Sequence, residues 1–133
     1  MSHRVRVPGD KSISHRALIF GALGSGPSCI SGILESADVK STANVLRALG
    51  ADIPELSDEF VVRGADLRGI RQPRRDLDCG NSGTTARLVA GVVAGSPSIE
   101  GMFIGDESLS RRPMRRVARP LSPCSAYQAN SNG

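Results

Sequence analysis

The chain repeats itself, and the repeat sets its architecture. "SHRALIFGALGSGPSCISGI" and "DVKSTANVLRALGADI" are answered by "TARLVAGVVAGSPSIEGMFI" and "SLSRRPMRRVARPLS", displaced by about seventy residues. Arg16 corresponds to Arg87, the "GSGPS" turn at 24–28 to "GSPS" at 95–98, and "VLRAL" at 45–49 to "VARPL" at 117–121. A repeat of this length is a whole supersecondary unit, not a solenoid module. Each copy reads as strand, helix, strand, helix, strand, so the fold class is α/β with a repeated unit.

Within the first copy, Val5–Val7 reads as a short strand. Residues 14–23 read as a helix with apolar positions at Ala17, Leu18, Phe20, Ala22 and Leu23, stopped by "GSGP". Residues 28–33 alternate as a strand. Residues 38–49 place Val39, Ala43, Leu46 and Leu49 on one stripe, with Asp38 as N-cap and Gly50 as the stop. Residues 53–56 and 60–63 follow as a hairpin around Ser57–Glu59. In the second copy, 76–79 is a strand, 83–94 a helix, 98–104 a strand and 111–121 a helix with Pro113 near its first turn. Residues 1–64 are thus a first βαβαββ unit, 65–75 a linker and 76–121 a second unit without its closing strands. The polar tail "SPCSAYQANSNG", 122–133, is expected to be disordered.

Aromatic residues make up only 3% of the chain, so Val, Ile, Leu and Ala must supply the core. No apolar run reaches the roughly 18–20 residues a membrane span needs, and "MSHRVRVPGD" lacks the apolar stretch of a signal peptide. A cytoplasmic location is expected. Cys29, Cys79 and Cys124 are odd in number and far apart, which argues against a disulfide framework and against a metal site. The net charge is +4, and the 17 basic residues comprise fifteen Arg and two Lys. Arginine suits recognition of phosphate and carboxylate.

Three stretches carry chemistry. In "PGDKSISHRAL" (8–18), Lys11 and Arg16 sit at the start of a helix beginning near Ser12 or Ser14. Basic residues are disfavoured there, because the helix N-terminus is already partly positive. Ser12 and Arg16, four apart, share a face, and with Lys11 they would cradle an anion. A plain serine cap with solvated cations is the other reading. In "CGNSGTTARL" the pattern recurs: Asn81, Ser82, Gly83, Thr84 and Thr85 open a helix, with Arg87 one turn later. Gly83 would let a ligand approach the backbone closely. Neither GxxxxGK[ST] nor GxGxxG is present. In "GDESLSRRPMRRVARP", Arg111, Arg115 and Arg119 form one row and Arg112 and Arg116 another. A solvated basic face, partly paired by Asp106 and Glu107, or a nucleic-acid helix would fit. The lack of Trp and the single Tyr argue against nucleic acid. Pro113 and Met114 suggest that one arginine is held in place. Asp38 suits an N-cap better than a catalytic carboxylate.

Taken together, "PGDKSISHRAL", "GNSGTTARL", "GDESLSRRPMRRV" and "LRALGA" (46–51) resemble the 5-enolpyruvylshikimate-3-phosphate synthase family over residues 5–121. The related UDP-N-acetylglucosamine enolpyruvyl transferases usually carry Lys-Asn where this chain has Lys11-Ser12, and rank second. The resemblance implies two lobes of βαβαββ units, with the active site between them. It implies transfer of the enolpyruvyl group of phosphoenolpyruvate to the 5-hydroxyl of shikimate 3-phosphate, through a tetrahedral intermediate that eliminates phosphate. By that resemblance Lys11 is catalytic and lies between the substrates. Ser12 and Arg16 hold shikimate 3-phosphate, Gly83 lines the phosphoenolpyruvate pocket and Arg112 binds its phosphate. Asn81, Arg87 and Asp38 are supports. No metal or organic cofactor is implied, and glyphosate is the expected inhibitor. Family members are much longer, and the tail departs from their pattern. The chain is therefore expected to be truncated and to keep only part of the substrate site. A fragment acting as a ligand-, nucleic-acid- or partner-binding module without catalysis is the alternative.

Overall fold

A computed structural model describes residues 3–124. Helix α1 spans Lys11–Leu23 and begins earlier than the serines suggested. Asp10 is its N-cap, its carboxylate accepting the Ile13 N–H at 2.8 Å. Ser14 has another task. Its hydroxyl donates to the Asp10 carbonyl (2.7 Å) and accepts the Leu34 N–H (2.9 Å), tying the helix to the loop after β1.

Strand β1 (Pro27–Ser31) pairs antiparallel with β2 (Glu59–Arg63), Pro27 opposite Arg63 and Ser31 opposite Glu59. The expected 53–56 strand is not formed. Only Asp52 bridges to Arg63, and β2 takes β1 as its partner instead of folding back as a hairpin. Within β2, Phe60 and Val62 are buried while their neighbours are exposed, as in a strand with one face on the core. Helix α2 (Ala37–Ala48) is capped by Ser36, not Asp38. Asp38 lies in its first turn, where a carboxylate also favours the helix dipole.

Strand β3 (Leu77–Asp78) and strand β4 (Phe103–Ile104) pair in parallel, joined through helix α3 (Gly83–Ala94). The expected 98–104 strand is therefore short, preceded by the "SPS" turn in which Ser98 takes a positive φ of 61°. The expected 111–121 helix starts late, leaving Pro113 before it rather than in its first turn, and a separate short helix precedes it. Helix α4 is Glu107–Ser110 and α5 is Arg115–Leu121. Pro113 lies between them, and the residue before a proline resists helical geometry. Arg112 consequently stands off both helices. Residues 5–7 form no strand: Val5 and Val7 are exposed, with no partner strand among the described residues. Of the tail, Ser122–Cys124 form a 3-10 turn, and the rest lies outside the described residues.

One contiguous core joins both copies. Leu18, Leu46, Leu49, Val62, Leu77 and Val89 are wholly buried in it, and α2 packs on both α1 and α3. Cys79 is buried there too, and burial pushes its thiol up to about 12.

Candidate functional site

Two helix starts carry the residues singled out above. At the start of α1, Lys11 forms an ion pair with Asp38 at the start of α2. The pair offsets a cation at a helix N-terminus with a carboxylate from the neighbouring helix. Ser12 and Arg16 are exposed on α1, one turn apart.

The second site is built around α3. Gly80 turns the chain with a φ of 55°, a conformation that a side chain resists, and its N–H donates to Asp78 at 2.8 Å. Ser82 caps α3, accepting the Thr85 N–H at 3.1 Å. Gly83 then meets two guanidinium groups. A Cβ added to Gly83 would stand 3.1 Å from Arg87 Nη1 and 3.2 Å from Arg112 Nη1. The missing side chain thus leaves room for both arginines over the helix start. Arg112 Nη2 donates to Asn81 Oδ1 at 2.8 Å, and Asn81 Nδ2 donates to Asp106 Oδ2 at 2.8 Å. The other Asp106 oxygen caps α4 by accepting the Leu109 N–H at 2.8 Å. That backbone bond, then the Asn81 amide, holds the Asp106 carboxyl below its ordinary range, with the Arg112 charge contributing less. Asp106 reaches Arg112 through a neutral amide, so the guanidinium keeps donors for an outside anion.

Between the two sites runs a buried polar chain that the sequence reading missed. His15 Nδ1 contacts Thr42 Oγ1 (2.7 Å), Thr42 Oγ1 contacts Thr85 Oγ1 (2.6 Å), and Thr85 Oγ1 donates to Ser82 Oγ (2.7 Å). All four residues are buried. A signal existed. His15 opens the stripe His15–Leu18–Ile19–Ala22, and Thr42 sits within Val39–Thr42–Ala43–Leu46, both at i, i+3, i+4, i+7. A polar residue at a core position must find a partner.

The structure thus brings Lys11 to Asp38, and Asn81, Gly83, Arg87 and Arg112 to one another. It leaves the outer arginines elsewhere: Arg111 pairs with Glu107, and Arg115, Arg116 and Arg119 are exposed on α5. Two convergent cationic helix starts can neutralise phosphate or carboxylate groups. Among the described residues, no helix is long and apolar enough to cross a membrane.

The sequence model of EPSP synthase (3-phosphoshikimate 1-carboxyvinyltransferase) matches residues 1–132, further than the motif-based limit of 121. The 3-phosphoshikimate 1-carboxyvinyltransferase of Parvibaculum lavamentivorans is 53% identical over 131 residues, covering 97% of this chain and 29% of the relative. That of Halorhodospira halophila is 54% identical over 129 residues, covering 96% and 29%. An EPSP synthase structure from Acinetobacter baumannii matches with a TM-score of 0.87 at 36% identity, covering 96% of this chain and 29% of that one. The chain spans less than a third of the length of these relatives. With its motifs, its mixed α/β fold and the family's sequence model matching it over residues 1–132, the chain belongs to the EPSP synthase family.

Proposed function

We propose that this chain supplies anion-binding residues for enolpyruvyl transfer from phosphoenolpyruvate to the 5-hydroxyl of shikimate 3-phosphate. The observation that carries the reading is the convergence of Arg87 and Arg112 over Gly83 at the start of α3. Arg112, detached from a helix by Pro113 and steadied by Asn81, binds the phosphate of phosphoenolpyruvate, and Gly83 lines the same pocket. A guanidinium there stabilises the charge that collects on the departing phosphate. Lys11 lies between the two substrates, its cation steadied by Asp38. Ser12 and Arg16 hold shikimate 3-phosphate. Asn81 and Arg87 are supports, and glyphosate competes with phosphoenolpyruvate. Residues 1–64 and 76–121 act as two units joined by 65–75, in a cytoplasmic protein. The family's reaction belongs to its full length, and this chain alone binds without turnover, because half a cleft forfeits positioning.

The test is a titration of shikimate 3-phosphate into the labelled chain, followed through backbone amide shifts. Saturable shifts at residues 10–17 and 81–87 are expected, with phosphoenolpyruvate then moving the second group further. A flat titration on a well-dispersed spectrum would sink the reading.

A further inference from the structure

His15, Thr42, Thr85 and Ser82 lie one turn inside, or at, the three helix starts that carry the candidate site. His15 is four residues after Lys11 on α1. Thr42 is four after Asp38 on α2. Thr85 is three after Ser82, the cap of α3. Their side chains touch in sequence through contacts of 2.7, 2.6 and 2.7 Å, within a core that excludes water.

The direction of these bonds is set at the two ends, by the Asp38 carbonyl and by His15 Nε2, unpartnered among the described residues. The Asp38 carbonyl can only accept, and Thr85 Oγ1 donates toward it (3.3 Å) and toward Ser82 Oγ (2.7 Å). Thr85 has one hydroxyl proton, which is then committed to the helix starts. The Thr42–Thr85 contact therefore needs Thr42 as donor, and the His15–Thr42 contact needs His15 Nδ1–H as donor. This leaves Nε2 bare, and it is buried without a partner among the described residues. A proton on Nε2 would have no acceptor there. The chain is thus polarised one way, from α1 through α2 to the cap of α3.

We propose that His15 is a positioning residue, which through Thr42 and Thr85 fixes the Lys11 helix start relative to the Gly83 helix start so that both face one polyanionic ligand. The proposal rests on the function proposed above and adds residues that touch no ligand. Apolar packing alone would hold the helices together. The polar chain adds register, because each hydroxyl accepts only within a narrow range of distance and angle.

The experiment uses the whole chain, with shikimate 3-phosphate as the probe. Ring nitrogen shifts of His15 are expected to report a neutral imidazole protonated at Nδ1; a bare Nδ1 would overturn the proposal. Thr85→Val removes the hydroxyl at nearly constant volume, breaks the chain on both sides of Thr85, and is expected to weaken binding at least about tenfold. Thr85→Ser restores most of that loss. Parent-like affinity in a folded Thr85→Val chain would overturn the proposal. Should Thr85→Val fail to fold, His15→Asn against His15→Leu decides: Asn keeps a donor near the Nδ1 position and should bind more tightly. Equal affinities would overturn the proposal. Failure of the unsubstituted chain to bind removes the proposed function and this inference together, whereas binding that is indifferent to the hydroxyl removes only the inference.

Discussion

The two helix starts share a sequence plan and differ in how their charges are balanced. At α1 the cap is an acid, Asp10, and Lys11 is already engaged by a second acid, Asp38. At α3 the cap is a neutral buried serine, and two guanidinium groups crowd a glycine. The acid that serves this second site, Asp106, acts through Asn81. Two helix starts with one sequence plan thus take their carboxylates from different places. The first site pairs its lysine directly with a carboxylate, and in the second a neutral amide stands between Arg112 and Asp106. For a small anion such as inorganic phosphate, the second site should dominate.

Arg112→Ala should break that difference most. It removes a charge-assisted contact worth about 1.5–3 kcal/mol, so phosphate binding at residues 81–87 should weaken by at least about tenfold in an amide-shift titration. Lys11→Ala should change phosphate binding less, since Lys11 already has a carboxylate partner. An equal loss in both variants would mean that the sites are electrostatically alike.

The two caps differ in burial and in the number of bonds they accept. Ser82→Ala removes a buried oxygen that accepts from the Thr85 N–H and hydroxyl, and should cost about 2 kcal/mol in urea unfolding. Asp10→Ala removes an exposed cap with one such bond and should cost about 1 kcal/mol. The reverse order would show that the second site is not the better tied. Gly83→Ala is milder. Its Cβ meets only the flexible ends of two arginines, so the fold should hold while glyphosate binding weakens about fivefold, near the low end of overpacking effects. Calorimetry showing equal affinities would refute it.

The smallest effect is one of pH. Burial lowers the His15 pKa from 6.5, opposed by Asp38 and helped by Lys11. A base with a depressed folded pKa binds its proton more readily when unfolded. Its contribution is therefore fully present above pH 6.5 and declines as pH falls from 6.5 toward the lowered folded value. Denaturation midpoints should fall through that window, and His15→Asn should flatten the slope. An unchanged slope would assign it to other groups.

Much of this was legible in the chain. Helix α3 has the bounds its sequence implies, 83–94, because the Ser82 cap and Gly95 stop are local signals. The start of α1 is ambiguous in the sequence because three side chains, Asp10, Ser12 and Ser14, could each cap it, and it is the loop at Leu34 that engages Ser14 elsewhere. The 53–56 hairpin was the most economical local reading, yet β2 pairs with a strand some thirty residues upstream (Ser31 opposite Glu59). Pairing choice depends on which face is buried, and burial is a property of the whole molecule.

The repeat, the two basic helix starts and the family are encoded in residue type and spacing, and so are readable along the chain. Which cations are neutralised and which stay available depends on how the helices pack. Lys11 and Asp38 are 27 residues apart, Arg112 and Asn81 are 31, and His15 and Thr42 are 27. Such pairs are made by packing three helices on one core, and no local rule of spacing reaches across that distance. The polar chain inside that core is the clearest instance: three ordinary hydroxyls and one histidine, each unremarkable in its own helix, acquire a direction only when the helices meet.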